Sequence, residues 1–235
     1  MSLLGNAAVT IWHNVRPEAR ADYFEWHNRE HMAERVAIPG FLRGRRYIAL
    51  DGTPEFCTLY EAQSLAVLTG PDYLERLENP TPMTRRVAAQ LQDNVRSLCN
   101  VALSLGSGQG GLLMTWRYNV APGREAGQRV LVESRLRQLL GREEIVGVHL
   151  CLGDAAASAV QTAEKKTRPV PALTPDWVIL VEGGGGRESI ARACSDLLPS
   201  GLLEEAGATG VARGLYRLQF QPDGPPGGID PGQGR

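Results

Sequence analysis

The sequence predicts an α+β fold in which two halves of the same element order, β-α-β-β-α-β, pack on one another within one chain. Three observations carry this. Asn14-Val15-Arg16-Pro17-Glu18 returns 105 residues later as Asn119-Val120-Ala121-Pro122-Gly123, and each copy closes an apolar run and opens a helix-like stretch. Glu55-Phe56-Cys57-Thr58-Leu59-Tyr60-Glu61 is echoed 121 residues later by Asp176-Trp177-Val178-Ile179-Leu180-Val181-Glu182, with an acid, an aromatic and a closing Glu in register. The 235 residues suffice for two units of about 100 residues, each able to bury a core.

The first strands are the apolar runs Ala7–His13 and Leu112–Tyr118. Pro17 and Pro122 then suit a first helical turn, where the missing N–H has no partner to lose. Second strands follow at Phe41–Leu50 and Glu144–Leu152, each closed by an Asp/Gly turn at 51–52 or 153–154. The echoed segments are third strands. Helical zones at 65–92 and 187–206 lead into fourth strands at about 95–105 and 209–220. This is the ferredoxin-like order, an antiparallel sheet with its helices on one face. The bare faces are hidden when sheet packs face to face on sheet. The halves are assigned to 1–106 and 111–221, joined by the glycine-rich link 106–111. The growth in offset from 105 to 121 locates an insertion at 155–174, read as a surface excursion. Residues 222–235, rich in Pro and Gly, are expected to form a flexible tail.

Composition excludes several functional classes. Twenty-five basic against 26 acidic residues leave no cationic excess for nucleic acid or an anionic membrane. No run approaches the roughly 20 apolar residues that span a bilayer. The opening Met-Ser-Leu-Leu-Gly-Asn has neither a basic region nor a long apolar one, so a cytoplasmic protein is expected. Cys57, Cys99, Cys151 and Cys194 lie far apart with no C-x-x-C pair, and read as packed, reduced thiols.

Candidate chemistry concentrates in the first half. Phe24, His27, His31, Arg35 and Ile38 recur at helical spacing along one face, and Ala19, Tyr23, Trp26, Ala33 and Ala37 form a second stripe. Imidazoles titrate near neutrality, so a His pair at a cleft edge could move a proton or hold an anion; the alternative is partly buried histidines bonded to their neighbours. His27-Asn28-Arg29-Glu30-His31 also matches H-x-x-E-H, a zinc pattern, but no Glu lies between Glu78 and Glu125 to supply the third ligand, and no metal site is expected. Along strand two, Arg43, Arg45 and Tyr47 project to one face with Phe41 and Ala49, while Arg46 points to the other. Thr58 and Tyr60 share a face of strand three. One of Trp12 and His13 must face the helices. His149 and the loop Gly183–Gly186 read as structural.

The strip from Asp22 to Tyr47, with Phe24, Trp26, His27 and His31 on a helix and Pro39-Gly40 turning into strand two, resembles the dimeric α/β-barrel superfamily, in particular its EthD-like branch. The likeness is strongest over residues 6–62. It implies a pseudo-dimeric α/β barrel closed within the chain. It also implies a cofactor-independent isomerase, cyclase or monooxygenase acting on a small hydrophobic ligand, aromatic or polyketide-like. His31 would be the acid/base, His27, Arg43 and Tyr47 would orient the ligand or stabilise oxyanion charge, and Phe24 and Tyr60 would line the site. The same superfamily permits haem bound by a helix histidine, and a homodimer. A non-catalytic interaction module is the remaining alternative. The second half has no histidine in Val130–Leu140, which leaves the site to the first half.

Overall fold

In the computed structural model, which describes residues 3–168, 170 and 172–222, eight antiparallel strands close into a barrel in the order β1-β3-β2-β8-β5-β7-β6-β4. The strands are β1 (Ala7–Val15), β2 (Phe41–Asp51), β3 (Phe56–Ala62), β4 (Leu91–Gly106), β5 (Leu112–Val120), β6 (Ile145–Gly153), β7 (Trp177–Gly183) and β8 (Ala208–Phe220). Within the first half the order is β4-β1-β3-β2, and within the second it is β8-β5-β7-β6, so one order occurs twice. The expected tail lies outside the described residues apart from Pro222.

The expectation of two separate sheets packed face to face is corrected. The sheets join at both edges, through β2 with β8 and β4 with β6. The last strand of each half makes the join. β4 pairs with β1 through Asn100 and then with β6 through Gly106, and β8 pairs with β5 before its end crosses to β2. Closure pairs each sheet's edge strands with the other half and wraps both inner faces around one core, which separate sheets would not achieve. That interior holds Trp12, Leu59, Leu113, Val178, Leu180 and Tyr216, contributed by both halves.

The interior is also charged. Arg45, fully buried, donates to Glu61 at 2.9 Å and to both carboxylate oxygens of Glu182 at 2.9 and 3.0 Å. His149 lies 3.4 Å from Glu182, and the Gly110 amide donates to the same carboxylate at 3.0 Å. The echoed Glu61 and Glu182 thus meet on one guanidinium and tie the halves together. Burial alone would raise the Glu182 carboxyl, but hydrogen bonds from His149 and Arg45 and the Arg45 charge hold it down at about 2.

Helices cover the outside. The first half carries α1 (Arg20–Trp26), α2 (Met32–Val36), α3 (Leu65–Leu68), α4 (Pro71–Glu78) and α5 (Pro82–Ala88), and the second carries α6 (Glu125–Leu140), α9 (Arg187–Leu197) and α10 (Leu202–Glu205). The insertion forms α7 (Ala155–Ala159) and α8 (Ala163–Lys166). It does not stay with its own half: α7 packs beside β4 and α8 beside α4 and α5. Four cysteines are buried and free.

Candidate functional site

The helical segment after β1 starts with a 3-10 turn at Pro17–Ala19 and continues as α1. Between α1 and α2 the turn His27–His31 is π-helical. A π turn holds one residue more than an α turn and is found disproportionately at functional sites. The extra residue changes which side chains meet the sheet. The two stripes do not divide between sheet and cleft: Tyr23 and Trp26 from one are buried together with His27, His31 and Arg35 from the other, while Ala33 and Ala37 are exposed. Two contacts anchor the segment to α5: Trp26 Nε1 donates to Thr84 Oγ1 at 2.9 Å, and Glu30 accepts from the Thr81 and Thr84 hydroxyls. Pro39 and Gly40 then turn the chain into β2. Gly40 has a φ of 89° and packs so closely that a Cβ would lie 2.5 Å from Val67 Cγ2.

Under this segment lies a stacked cluster of rings. His13, rather than Trp12, faces the helices, and its Nε2 pairs with the Tyr23 hydroxyl at 3.1 Å. Tyr23 stacks on His27 (centroids 5.1 Å, planes 20° apart), His27 stacks on His31 (5.7 Å, 23°), and Trp26 lies 4.2 Å from His31. Arg46 Nη1 is 3.0 Å from His27 Nδ1. A guanidinium only donates, so Nδ1 accepts and the His27 proton sits on Nε2. Arg46 also donates to Gln219 at 2.8 Å and stands over the rings of Tyr23, Phe24 and Phe220. It is 2% exposed, and among the described residues no carboxylate pairs with it. His31 Nδ1 is buried with no partner among those residues.

Burial keeps the imidazoles neutral. His13 falls to about 3, through desolvation first and the charges of Arg168 and Arg46 second. His27 and His31 fall well below the ordinary histidine value for the same leading reason, His27 with His31 and Arg46 nearby, His31 with Arg35 and Arg168 nearby. The cluster therefore holds neutral imidazoles beside a fixed cation: burial and the nearby guanidiniums oppose protonation of the rings, and the Arg46 charge can stabilise an anion placed against it.

The sheet divides the expected site residues. His27, His31, Phe24 and Tyr60 are on the outer, helix-covered face, Tyr60 under α2 against Phe41 and near Arg35. Arg43 and Tyr47 project the other way: Arg43 donates to Glu61 at 2.7 and 2.9 Å, and the buried Tyr47 ring lies under Arg45. The expected meeting of His31 with Arg43 and Tyr47 is thus corrected, since a strand separates them. Arg46, set aside by the sequence reading, takes their place at His27. Strand alternation alone assigns it to the face opposite Arg43 and Arg45, and that is the signal by which it could have been found. Glu30 binds Thr81 and Thr84, and among the described residues no three metal-ligating side chains gather.

A closed eight-stranded antiparallel barrel with helices on its outer face is the dimeric α/β-barrel fold, here made by one polypeptide. An anthrone oxidase-like protein shares it with a TM-score of 0.63 at 11% identity, over 94% of this chain and 95% of that one. A provisionally assigned monooxygenase from Fusobacterium nucleatum subsp. nucleatum ATCC 25586 superposes at 0.54 with 10% identity, over 94% and 96% of the two chains. Another from Lactobacillus acidophilus NCFM superposes at 0.55 with 8% identity, over 92% and 95%. At these identities the likeness is one of fold. No protein-family model and no curated protein sequence matches the chain. No helix among the described residues is long and apolar enough to cross a membrane.

Proposed function

We propose that this chain is an EthD-like small-molecule enzyme that binds a hydrophobic aromatic or polyketide-like compound in the helix-covered layer of its first half and abstracts a proton from it without a cofactor. The observation that carries the reading is Arg46, a buried cation with no carboxylate partner among the described residues, set against the neutral His27 beside His31. In this reading the bound oxyanion offsets the charges of Arg35 and Arg168 and lets His31 accept the proton through its unpartnered Nδ1, His27 and Arg46 hold the developing oxyanion, and Phe24 and Tyr60 border the ligand. Arg43 and Tyr47 support the barrel interior from the other side of β2. His31 keeps 6% of its surface, so this reading requires the segment around the π turn to move aside before a ligand reaches the ring. The fold shared with an anthrone oxidase-like protein supports a polycyclic phenol or ketone as the first compound to try. We take the halves, 1–106 and 111–221, as copies of one ferredoxin-like unit, and the protein as cytoplasmic and able to form a homodimer.

Haem fits this site poorly. An iron ligand needs a ring nitrogen free to reach the metal, whereas His27 Nδ1 is engaged by Arg46 and the His27 ring is stacked between Tyr23 and His31. A purely structural cluster is the second reading, favoured by the burial of both rings. Anthrone binding and oxygen uptake, measured for wild type and His31→Gln, separate the two. Catalysis predicts turnover that falls about 100-fold or more in the variant at a little-changed melting temperature. A large drop in melting temperature with no binding of anthrone by the wild type would sink the proposal.

A further inference from the structure

The insertion at 155–174 builds a cavity that the reading above does not use. It measures about 320 Å³ and lies between Arg96 of β4, Ser158 and Ala159 of α7, Lys165 of α8, and Ala172 and Thr174 further along the insertion. Among the described residues its wall contains Arg96, Lys165, Lys166 and Arg168 and no acidic side chain. These include the only two lysines of the chain. Such a volume falls within the roughly 300–1,000 Å³ of small-molecule pockets.

The cations in this wall are not matched by anions. The Arg168 side chain retains 8% of its surface, and its Nε and Nη1 have no hydrogen-bond partner among the described residues. Its one carboxylate neighbour among those residues, Glu164 at 3.5 Å, is shared with Arg35, which it binds closely. Arg96 is 6% exposed and donates to a phenol, Tyr73, at 2.9 Å. Lys165 Nζ is held by the carbonyl oxygens of Ser158 and Val160, neutral acceptors. Two buried guanidiniums and a half-buried ammonium therefore share one cavity wall, with Glu164 alone among the described residues to offset them. Buried cations and unpaired N–H groups are costly, and the cost is removed when an oxyanion arrives. The crowding registers in the lysine: burial, then the charges of Arg96 and Arg168, lower Lys165 to about 8.

We infer that this cavity binds a small organic anion, its carboxylate or phosphate head accepting from Arg168, Arg96 and Lys165 and its apolar body lying along Ala159 and Ala172. Arg168 Nε and Nη1 each carry an N–H with no acceptor among the described residues, so each can donate a charge-assisted hydrogen bond to an oxyanion oxygen. The site is formed by the second half's insertion against the first half's sheet, and it stands whether or not the histidine cluster is catalytic.

Calorimetric titration of the full chain with benzoate, its neutral isostere benzamide, phenyl phosphate and inorganic phosphate tests this. Benzoate or phenyl phosphate is expected to bind below about 10 mM and benzamide to bind at least tenfold more weakly. Arg168→Gln should weaken anion binding by roughly tenfold or more. Lys166→Glu reverses a charge at the exposed rim, where folding is not at stake, and should weaken it by at least about threefold. Inorganic phosphate binding as tightly as phenyl phosphate would remove the organic body from the assignment. Equal binding of benzoate and benzamide, anion binding unchanged in Lys166→Glu or in folded Arg168→Gln, or no heat with any of the anions would overturn the inference.

Discussion

Lowering the pH from 7.5 to 5.5 is expected to destabilise this protein steeply, through His13, His27 and His31. All three are buried, with folded pKa values below the ordinary histidine value of about 6.5. Between those limits the unfolded chain binds protons that the folded chain refuses, so stability rises with pH. The contribution is fully present above the unfolded pKa and is lost as pH falls below it. The groups that oppose protonation are Arg46 on β2, Arg35 on α2 and Arg168 after α8. At pH 5.5, one unit below the unfolded value, each neutral histidine forfeits about 1.4 kcal/mol, and three forfeit about 4 kcal/mol. Domains of this kind are stable by about 5–15 kcal/mol in total, so the loss is a large fraction. Urea unfolding followed by tryptophan fluorescence at pH 7.5, 6.5 and 5.5, at constant ionic strength, measures it in a range where ordinary carboxylates do not titrate. His13→Gln should reduce the pH-dependent loss by about a third. A loss at or below about 1.4 kcal/mol would mean that at most one ring stays neutral, and the account of the cluster would fail.

Neighbouring arginines on β2 should behave oppositely in thermal and chemical unfolding. Arg45→Met removes the fully buried cation that Glu61 and Glu182 share, leaving Glu182 without a guanidinium, and should cost about 3–5 kcal/mol, whereas Arg46→Met removes a cation that has no carboxylate among the described residues and should change stability by less than about 1.5 kcal/mol. Equal losses would refute the contrast. Gly40→Ala meets both a positive φ and the Val67 methyl, and a melting curve should report a destabilisation of about 1–3 kcal/mol; an unchanged melting temperature would show that the Pro39-Gly40 turn relaxes freely.

Much of the fold was legible in the sequence because its signals are local. Asp/Gly turns, prolines at helix starts and apolar runs located all eight strands to within a few residues, and the alternation along β2 separated Arg46 from Arg43 and Arg45. The recurrence of Glu61 as Glu182 marked two equivalent positions, but not their meeting on Arg45, since that depends on the two inner faces closing around one interior. Edge joining was equally out of reach: β4 and β8 each pair with two neighbours, and nothing local states where a strand leaves one partner for another. At the candidate site the histidines were visible and their company was not. A stripe drawn at 3.6 residues per turn assumes an unbroken α-helix, and the π turn at His27–His31 shifts that phase by a residue. Tertiary packing alone decided that Tyr23, Trp26, His27 and His31 share one buried layer with Arg46. It also decided that the insertion, which reads as a surface excursion, crosses to the other half and encloses Arg96 and Arg168, because a charge's partners are set by proximity in space rather than by order along the chain.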